Sequence, residues 1–342
     1  MKRVGHIYEQ LLDREYIKQT IILASKHKTK RKGVIMVMDN LDFYVDKIHE
    51  MIVTQNIQLL PTRTRKIRER GKERIITISP FYPNQILDYL LTETVKPVIR
   101  KSMYEYSIGN IDKKGISYGK NYLDKRVRKY AYYLKLDIHH FYQSVNTAKL
   151  IKLLQHKIKD KRYLNFARQV INPNELPIGC YYSQWLSNYY LTFMDYYIKQ
   201  VLNIPIYVRY VDDMLLLSNN KRQLMMSQYE IIRQLADLDL HLKRKEQVER
   251  IVKRKISFLG FLFDFECTML RKAIYKKITI TVRKLKQHVC ASLVKRLISY
   301  WGWIKGITYG YHFYRKFIYP IIKIGELRKY IESINQIERV GC

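Results

Sequence analysis

The stretch YVRYVDDMLLLS, residues 207–218, decides how the rest of the chain is read. Two apolar runs rich in β-branched and aliphatic residues flank two adjacent aspartates, Asp212 and Asp213. The runs predict a pair of strands and the aspartates a hairpin tip. Adjacent carboxylates repel each other and resist burial. They fit such a place if a cation and its ligands share the space. A solvated acidic turn is the plain alternative, so other segments must supply further pieces.

A second acidic strand lies upstream. YAYYLKLDIHHFYQSV (130–145) predicts a buried strand running into a turn and a helix, with Asp137 at the strand's end. If the two strands are neighbours in one sheet, the three carboxylates converge. Mg²⁺ suits such a group, because it takes a few carboxylates and fills its other positions with water and phosphate oxygens. Two such ions can activate a 3′-hydroxyl and stabilise a leaving pyrophosphate.

The remaining segments give an α+β order. Residues 1–60 read mainly as helices. TRTRKIRERGKERIITIS (62–79) predicts a basic hairpin with Gly71 at its tip. PFYPNQILDYLLTETVKPVIRK predicts a helix entered through Pro83. PIGCYYSQWLSNYYLTFMDYYIKQVL (177–202) predicts a Pro-Gly loop followed by a long amphipathic helix. A further helix is expected near 221–238, then a short strand, ISFLGFLF. The chain from about residue 270 is basic and helix-leaning.

Lys plus Arg total 63 and Asp plus Glu total 30, a net charge of +33. That balance suits a polyanion, nucleic acid before an acidic membrane surface. The basic run KHKTKRKG (26–33) reads as a solvated loop or a nucleic-acid contact. The N-terminus has no apolar signal core, and no run reaches the ~18–20 apolar residues of a membrane span. A cytoplasmic protein with no membrane partner is expected. Cys180, Cys267, Cys290 and Cys342 have no zinc-ligand spacing and read as reduced thiols.

Taken in order, these segments resemble a reverse transcriptase of the bacterial retroelement type. LKLDIHHFYQSV is similar to the first palm motif, YVDD to the YxDD box, HLKRKEQ to the lysine-bearing motif after it, and FLGF to the primer-grip turn. The resemblance implies a right-hand polymerase. It has an N-terminal helical extension (1–55), fingers (56–136), a palm (137–265, with a fingers segment around 146–176) and a basic helical thumb (266–342). It implies RNA-directed DNA polymerase activity by two-metal nucleotidyl transfer. Asp137 and Asp212 would hold two Mg²⁺ ions, with the Ile138 carbonyl assisting and Asp213 supporting metal or primer. Tyr142 matches the aromatic gate against a ribose 2′-hydroxyl. Arg74 matches the arginine that grips the triphosphate. Arg68 is the expected second basic contact, with Lys66 a rival. Lys245 matches the lysine that protonates pyrophosphate, with Lys243 competing. Phe258, Leu259 and Gly260 form the expected primer grip.

The loop LPIGCYYSQWLSN narrows the resemblance. Ile178 and Gly179 stand where related enzymes read Gln-Gly beside the incoming dNTP, and Gln184 replaces a proline. The pattern IGxxxSQ resembles reverse transcriptases of diversity-generating retroelements, which copy a template RNA with errors opposite adenine. Fewer polar contacts to the nucleotide leave a smaller difference between correct and incorrect pairs. The implied partners are a template or noncoding RNA, an RNA–DNA hybrid, dNTPs and a small helical accessory protein. The alternative reading is an antiphage-defence reverse transcriptase copying an associated noncoding RNA. A remoter alternative is an inactive RNA-binding palm, against which the intact aspartates argue.

Overall fold

The computed structural model describes residues 3–69, 72–321, 323, 325, 326, 329 and 332. Gly71 and Cys342 lie outside them. The chain divides into two units. The first comprises Met1–Asp112, Leu136–Met214 and Met225–Glu246; the second comprises Lys113–Lys135, Leu215–Leu224 and Gln247–Cys342.

The first unit opens with three helices, α1 (Arg14–Ser25), α2 (Lys32–Asp39) and α3 (Leu41–Val53). Asp13 caps α1 by accepting from the Glu15 amide. The ribbon β1 (Arg63–Glu69) and β2 (Lys72–Ile78) follows, antiparallel, as the alternation around the basic hairpin predicts. Next comes α4 (Ile86–Arg100), which buries Ile86, Leu87, Leu90, Leu91, Val95 and Ile99. Helix α5 (Ile116–Asp124) and most of strand β3 (Tyr132–Asp137) belong to the second unit.

Beyond β3 come α6 (Phe141–Ser144), α7 (Thr147–Gln155), α8 (Lys161–Val170), α9 (Tyr181–Tyr190) and α10 (Thr192–Tyr196). The expected amphipathic helix over 177–202 is buried almost throughout its first part, Tyr181–Tyr190, and exposes Phe193, Tyr196 and Val201 only further on. Residues Tyr182, Ser183 and Trp185–Tyr190 are all buried, because α4 and α7 both pack on α9. The helix is interrupted at Leu191 and ends in a π turn, Tyr197–Val201.

Strands β4 (Ile206–Tyr210) and β5 (Asp213–Ser218) come next, then α11 (Lys221–Asp237) and β6 (Glu249–Arg250). One sheet has the order β4-β5-β3-β6, so β3 and β5 are neighbours, as convergence of the aspartates requires. Both β4 and β5 are buried nearly throughout. Burial on both faces is why their sequence runs apolar without alternation.

The second unit carries a small antiparallel sheet of β7 (Ile256–Phe258), β8 (Phe261–Phe263) and β9 (Thr268–Leu270). The single strand expected over 256–263 is thus a hairpin. Helices α12 (Lys272–Gln287), α13 (Ala291–Ile304) and α14 (Gly310–Phe317) complete it, with Ile278, Leu285, Val294, Leu297 and Ile304 in its core. Among the described residues no helix is long and apolar enough to cross a membrane.

Candidate active site

The two-residue turn between β4 and β5 is Val211–Asp212. The Asp212 carbonyl accepts from the Ile138 amide at 3.3 Å, which ties the turn to the end of β3. Asp137, Asp212 and Asp213 are each half-buried. Burial pushes the Asp212 carboxyl up to about 6, and the charges of Asp213 and Asp137 push the same way. A backbone hydrogen bond and the Arg74 charge oppose that rise. Three carboxylates therefore share one electrostatic neighbourhood. Hard oxygen donors in mutual repulsion have the chemistry of a divalent-cation site, since a cation removes the repulsion. As they stand, no three Asp, Glu, His or Cys side chains among the described residues form a ready metal-holding group.

Tyr142, on α6, is half-buried beside this group. Burial raises its hydroxyl's pKa. A hydrogen bond with Ser187 lowers it, the Asp212 and Tyr210 groups raise it, and Arg74 lowers it again. Arg74 is thus felt at both Tyr142 and Asp212.

The ribbon register divides the basic residues expected to act with Arg74. Arg74 pairs with Ile67, and Arg68 pairs with Glu73. Cross-strand partners share a face and strand neighbours alternate, so Arg68 lies on the face opposite Arg74. Lys66 shares the Arg68 face, and its ammonium stands 4.0 Å from Glu73. Arg65, paired with Ile76, lies on the Arg74 face.

Beyond α11 the chain returns alongside Asp137. The Lys243 amide donates to the Asp137 carbonyl at 2.9 Å, and the His139 amide donates to the His241 carbonyl at 2.8 Å. Lys245 is exposed, and its ammonium lies 3.4 Å from the Tyr229 hydroxyl and over that ring. Of the two lysines, Lys243 has its backbone bonded beside the aspartates.

The loop with Ile178 and Gly179 is fastened to β2. The Ile178 carbonyl accepts from the Thr77 amide at 2.7 Å. Gly179 has φ +120°, and a Cβ there would meet the Thr77 carbonyl oxygen at 2.5 Å. Only glycine fits both demands. Two residues on, α9 begins under a cap absent from the sequence reading. Asp88 of α4 accepts from the Tyr181 and Tyr182 amides, each at 2.7 Å.

In the second unit, Phe258 ends β7 and Leu259–Gly260 form the hairpin turn. Both turn residues have positive φ, 51° and 85°, as a two-residue hairpin of the primed type requires. A Cβ at Gly260 would meet the Trp303 ring at 2.5 Å.

Sequence reasoning also missed a buried polar cluster. Arg209, Asp195, Asn188 and Tyr207 are all fully buried, and Arg209 forms a bidentate ion pair with Asp195 at 2.7 and 2.6 Å. The available signal was a lone arginine inside the apolar strand YVRYV, since a buried charge requires a partner.

The reverse transcriptase (RNA-dependent DNA polymerase) family matches residues 63–263. The chain belongs to that family. Two solved structures are similar to it. Apo telomerase from Candida tropicalis, truncated from the C-terminal domain, is 13% identical with a TM-score of 0.47, over 63% of this chain and 56% of that one. Telomerase from Candida albicans, in complex with the TWJ fragment of telomeric RNA, is 14% identical with a TM-score of 0.45, over 67% and 51%. The chain thus spans about half the length of those structures. No match is found among curated proteins.

Proposed function

We propose that this chain synthesises DNA on an RNA template, with Asp137, Asp212 and Asp213 at the reacting centre. The observation that carries this is the shared field of those three carboxylates with Arg74 and Tyr142, all inside the stretch the family matches. The family generally uses divalent metal ions. Held by Asp137, Asp212 and the Ile138 carbonyl, with Asp213 in support, two Mg²⁺ ions would supply Lewis-acid activation of the primer 3′-hydroxyl and charge neutralisation at pyrophosphate.

The protein's own groups do the rest. Arg74 binds the triphosphate, because a guanidinium fork matches phosphate oxygens. Arg65 shares its face and takes the second position, ahead of Arg68 and Lys66. Tyr142 packs where a ribose 2′-hydroxyl would lie and so favours dNTP. Lys243, or Lys245 after release from Tyr229, gives a proton to the departing pyrophosphate. Ile178 and Gly179 line the nucleotide's sugar and base, and Phe258–Gly260 supports the primer. Residues 56–136 serve as fingers, 137–265 as palm and 266–342 as thumb, behind an N-terminal extension of 1–55.

The substrate is a dedicated template RNA, copied with errors opposite adenine as in diversity-generating retroelements, with a small helical accessory protein as partner. Support for this subclass is the apolar side chain of Ile178 in a loop pinned to β2. The setting is the cytoplasm.

The test is primer extension. Asp212→Asn is expected to abolish dNTP incorporation while RNA affinity stays within about twofold, since the basic surfaces that bind phosphates are untouched. Normal extension by that variant at ordinary Mg²⁺ overturns the assignment. Sequencing cDNA from wild type and Ile178→Gln tests the subclass. Fewer errors opposite adenine in the variant supports it, and a wild type that copies adenine accurately favours the defence reading.

A further inference from the structure

Val211 precedes Asp212 and has φ +59°. A β-branched residue in the left-handed region is a true outlier and persists only where its surroundings over-determine it. Two sets of contacts do so, both within the first unit.

From inside, the Arg209 guanidinium donates to the Val211 carbonyl at 3.0 Å. Its other N–H groups are spent on Asp195 Oδ1 at 2.7 Å, Asp195 Oδ2 at 2.6 Å, Asn188 Oδ1 at 3.0 Å and the Asn188 carbonyl at 3.2 Å. All five donors of the fork are therefore used, and Asp195 Oδ1 also accepts from the Tyr207 hydroxyl at 2.7 Å. From the other side, Gly109 lies against the turn. A Cβ there would stand 2.6 Å from Val211 Cγ2 and 2.8 Å from the Val211 nitrogen. Asn188 links the two supports, donating to the Gly109 carbonyl at 2.7 Å while accepting from Arg209. The backbone of residues 106–108 is itself bonded to Arg209, at 3.0 and 2.9 Å.

A buried ion pair alone is weak grounds for stability, since well-packed apolar residues serve as well. This one has a geometric product, a fixed turn one residue before the acidic pair. We propose that Arg209 is a positioning residue for nucleotidyl transfer, its guanidinium locking Val211 in the left-handed turn that presents Asp212 to the metal. Asn188 and Gly109 complete the clamp. The inference rests on the polymerase reading above.

The experiment compares wild type, Arg209→Lys, Gly109→Ala and the double variant Arg209→Lys/Val211→Gly. For each, single-turnover primer extension is titrated with Mg²⁺. RNA affinity, the melting temperature and its rise on adding Mg²⁺ alone are measured beside it. Lysine cannot reproduce the planar fork, and Gly109→Ala presses the turn without touching the ion pair. Both single variants are expected to lose rate roughly 10- to 100-fold, as ångström-scale misplacement does, with RNA affinity held. They need more Mg²⁺ for half-maximal rate and show a smaller melting shift with Mg²⁺. Val211→Gly restores part of the Arg209→Lys rate, because glycine adopts positive φ unaided. An unchanged Mg²⁺ dependence, with rate falling only as the folded fraction falls, overturns the inference and makes Arg209 a core stabiliser. If Arg209→Lys does not fold, Gly109→Ala decides by the same criteria. A wild type without extension activity overturns the polymerase reading, and the Mg²⁺ melting shifts then still show whether the clamp sets a cation site.

Discussion

The Thr77 amide donates to the Ile178 carbonyl at 2.7 Å, which fastens the strand that carries Arg74 to the loop beside the proposed nucleotide site. Gly179 makes that contact possible, with φ +120° and the Thr77 carbonyl where a Cβ would go. Gly179→Ala should therefore part the loop from β2, at a cost of about 1–3 kcal/mol in stability from backbone strain, and raise the KM for dNTP. Gly302→Ala is the control. Gly302 lies inside α13 with open space around it, and alanine there should be neutral or stabilise by up to ~1 kcal/mol. Equal melting temperatures for Gly179→Ala and wild type would sink the account of the loop.

The ribbon register yields a second prediction. Arg74→Ala should raise the dNTP KM by roughly 10- to 100-fold, the equivalent of about 1.5–3 kcal/mol for charge-assisted hydrogen bonds. Arg68→Ala should change it by less than about threefold, as exposed charges on the other face do, and Arg65→Ala should fall between them. Steady-state kinetics with one dNTP varied separates the three. A larger effect from Arg68 than from Arg74 would mean that the ribbon binds the triphosphate with its other face.

The elements that carry these residues were legible because each has a local signal. The basic hairpin appears as β1 and β2, Asp137 closes a strand, and the helix expected near 221–238 is α11, Lys221–Asp237. What was hidden is tertiary. The facing of Arg68 follows from strand-pair parity, which composition does not set. Asp88 caps a helix 93 residues away, and Arg209 finds Asp195 only when α10 packs behind β4. The 177–202 segment reads as amphipathic because Ser183, Ser187 and Asn188 are buried polar residues, indistinguishable in sequence from a wet face. Leu259 at positive φ gives no local turn signal, so the residues alone read as one strand where two pair, and only the resemblance of FLGF to a primer-grip turn pointed to the bend.

Tyr142 gives a third prediction. Its hydroxyl hydrogen-bonds with Ser187 and feels the Asp212 charge, and the residue is half-buried. Removing the ring in Tyr142→Ala opens volume beside the acidic pair without deleting a carboxylate. The ratio of rNTP to dNTP incorporation should rise on the order of tenfold or more, about 1.4 kcal/mol of lost discrimination. Tyr142→Phe should leave the ratio near wild type, because steric bulk and not the hydroxyl does the excluding. If Tyr142→Ala keeps the wild-type ratio, Tyr142 is core packing and the gate lies elsewhere.

Asp88 supplies the last prediction, a pH dependence of stability. Burial pushes its carboxyl from 3.8 up to about 7, while the Tyr181 and Tyr182 amides, Thr92 and Lys28 pull the other way. The folded chain therefore holds this proton to higher pH than the unfolded chain does. Between about pH 4 and 7 the unfolded state releases it first, so the Asp88 contribution to stability falls as pH rises and levels off above 7. Three units correspond to a decline on the order of 4 kcal/mol. Asp88→Asn removes the titration and keeps one oxygen for the helix cap. Urea midpoints for both proteins at pH 5, 6, 7 and 8 isolate the effect, because other groups cancel in the difference. The stability of wild type relative to Asp88→Asn should shrink steadily toward pH 7 and stay constant beyond it. A difference that grows with pH would mean that the two amides and Lys28 outweigh burial, and that the α9 cap is an ionised carboxylate throughout.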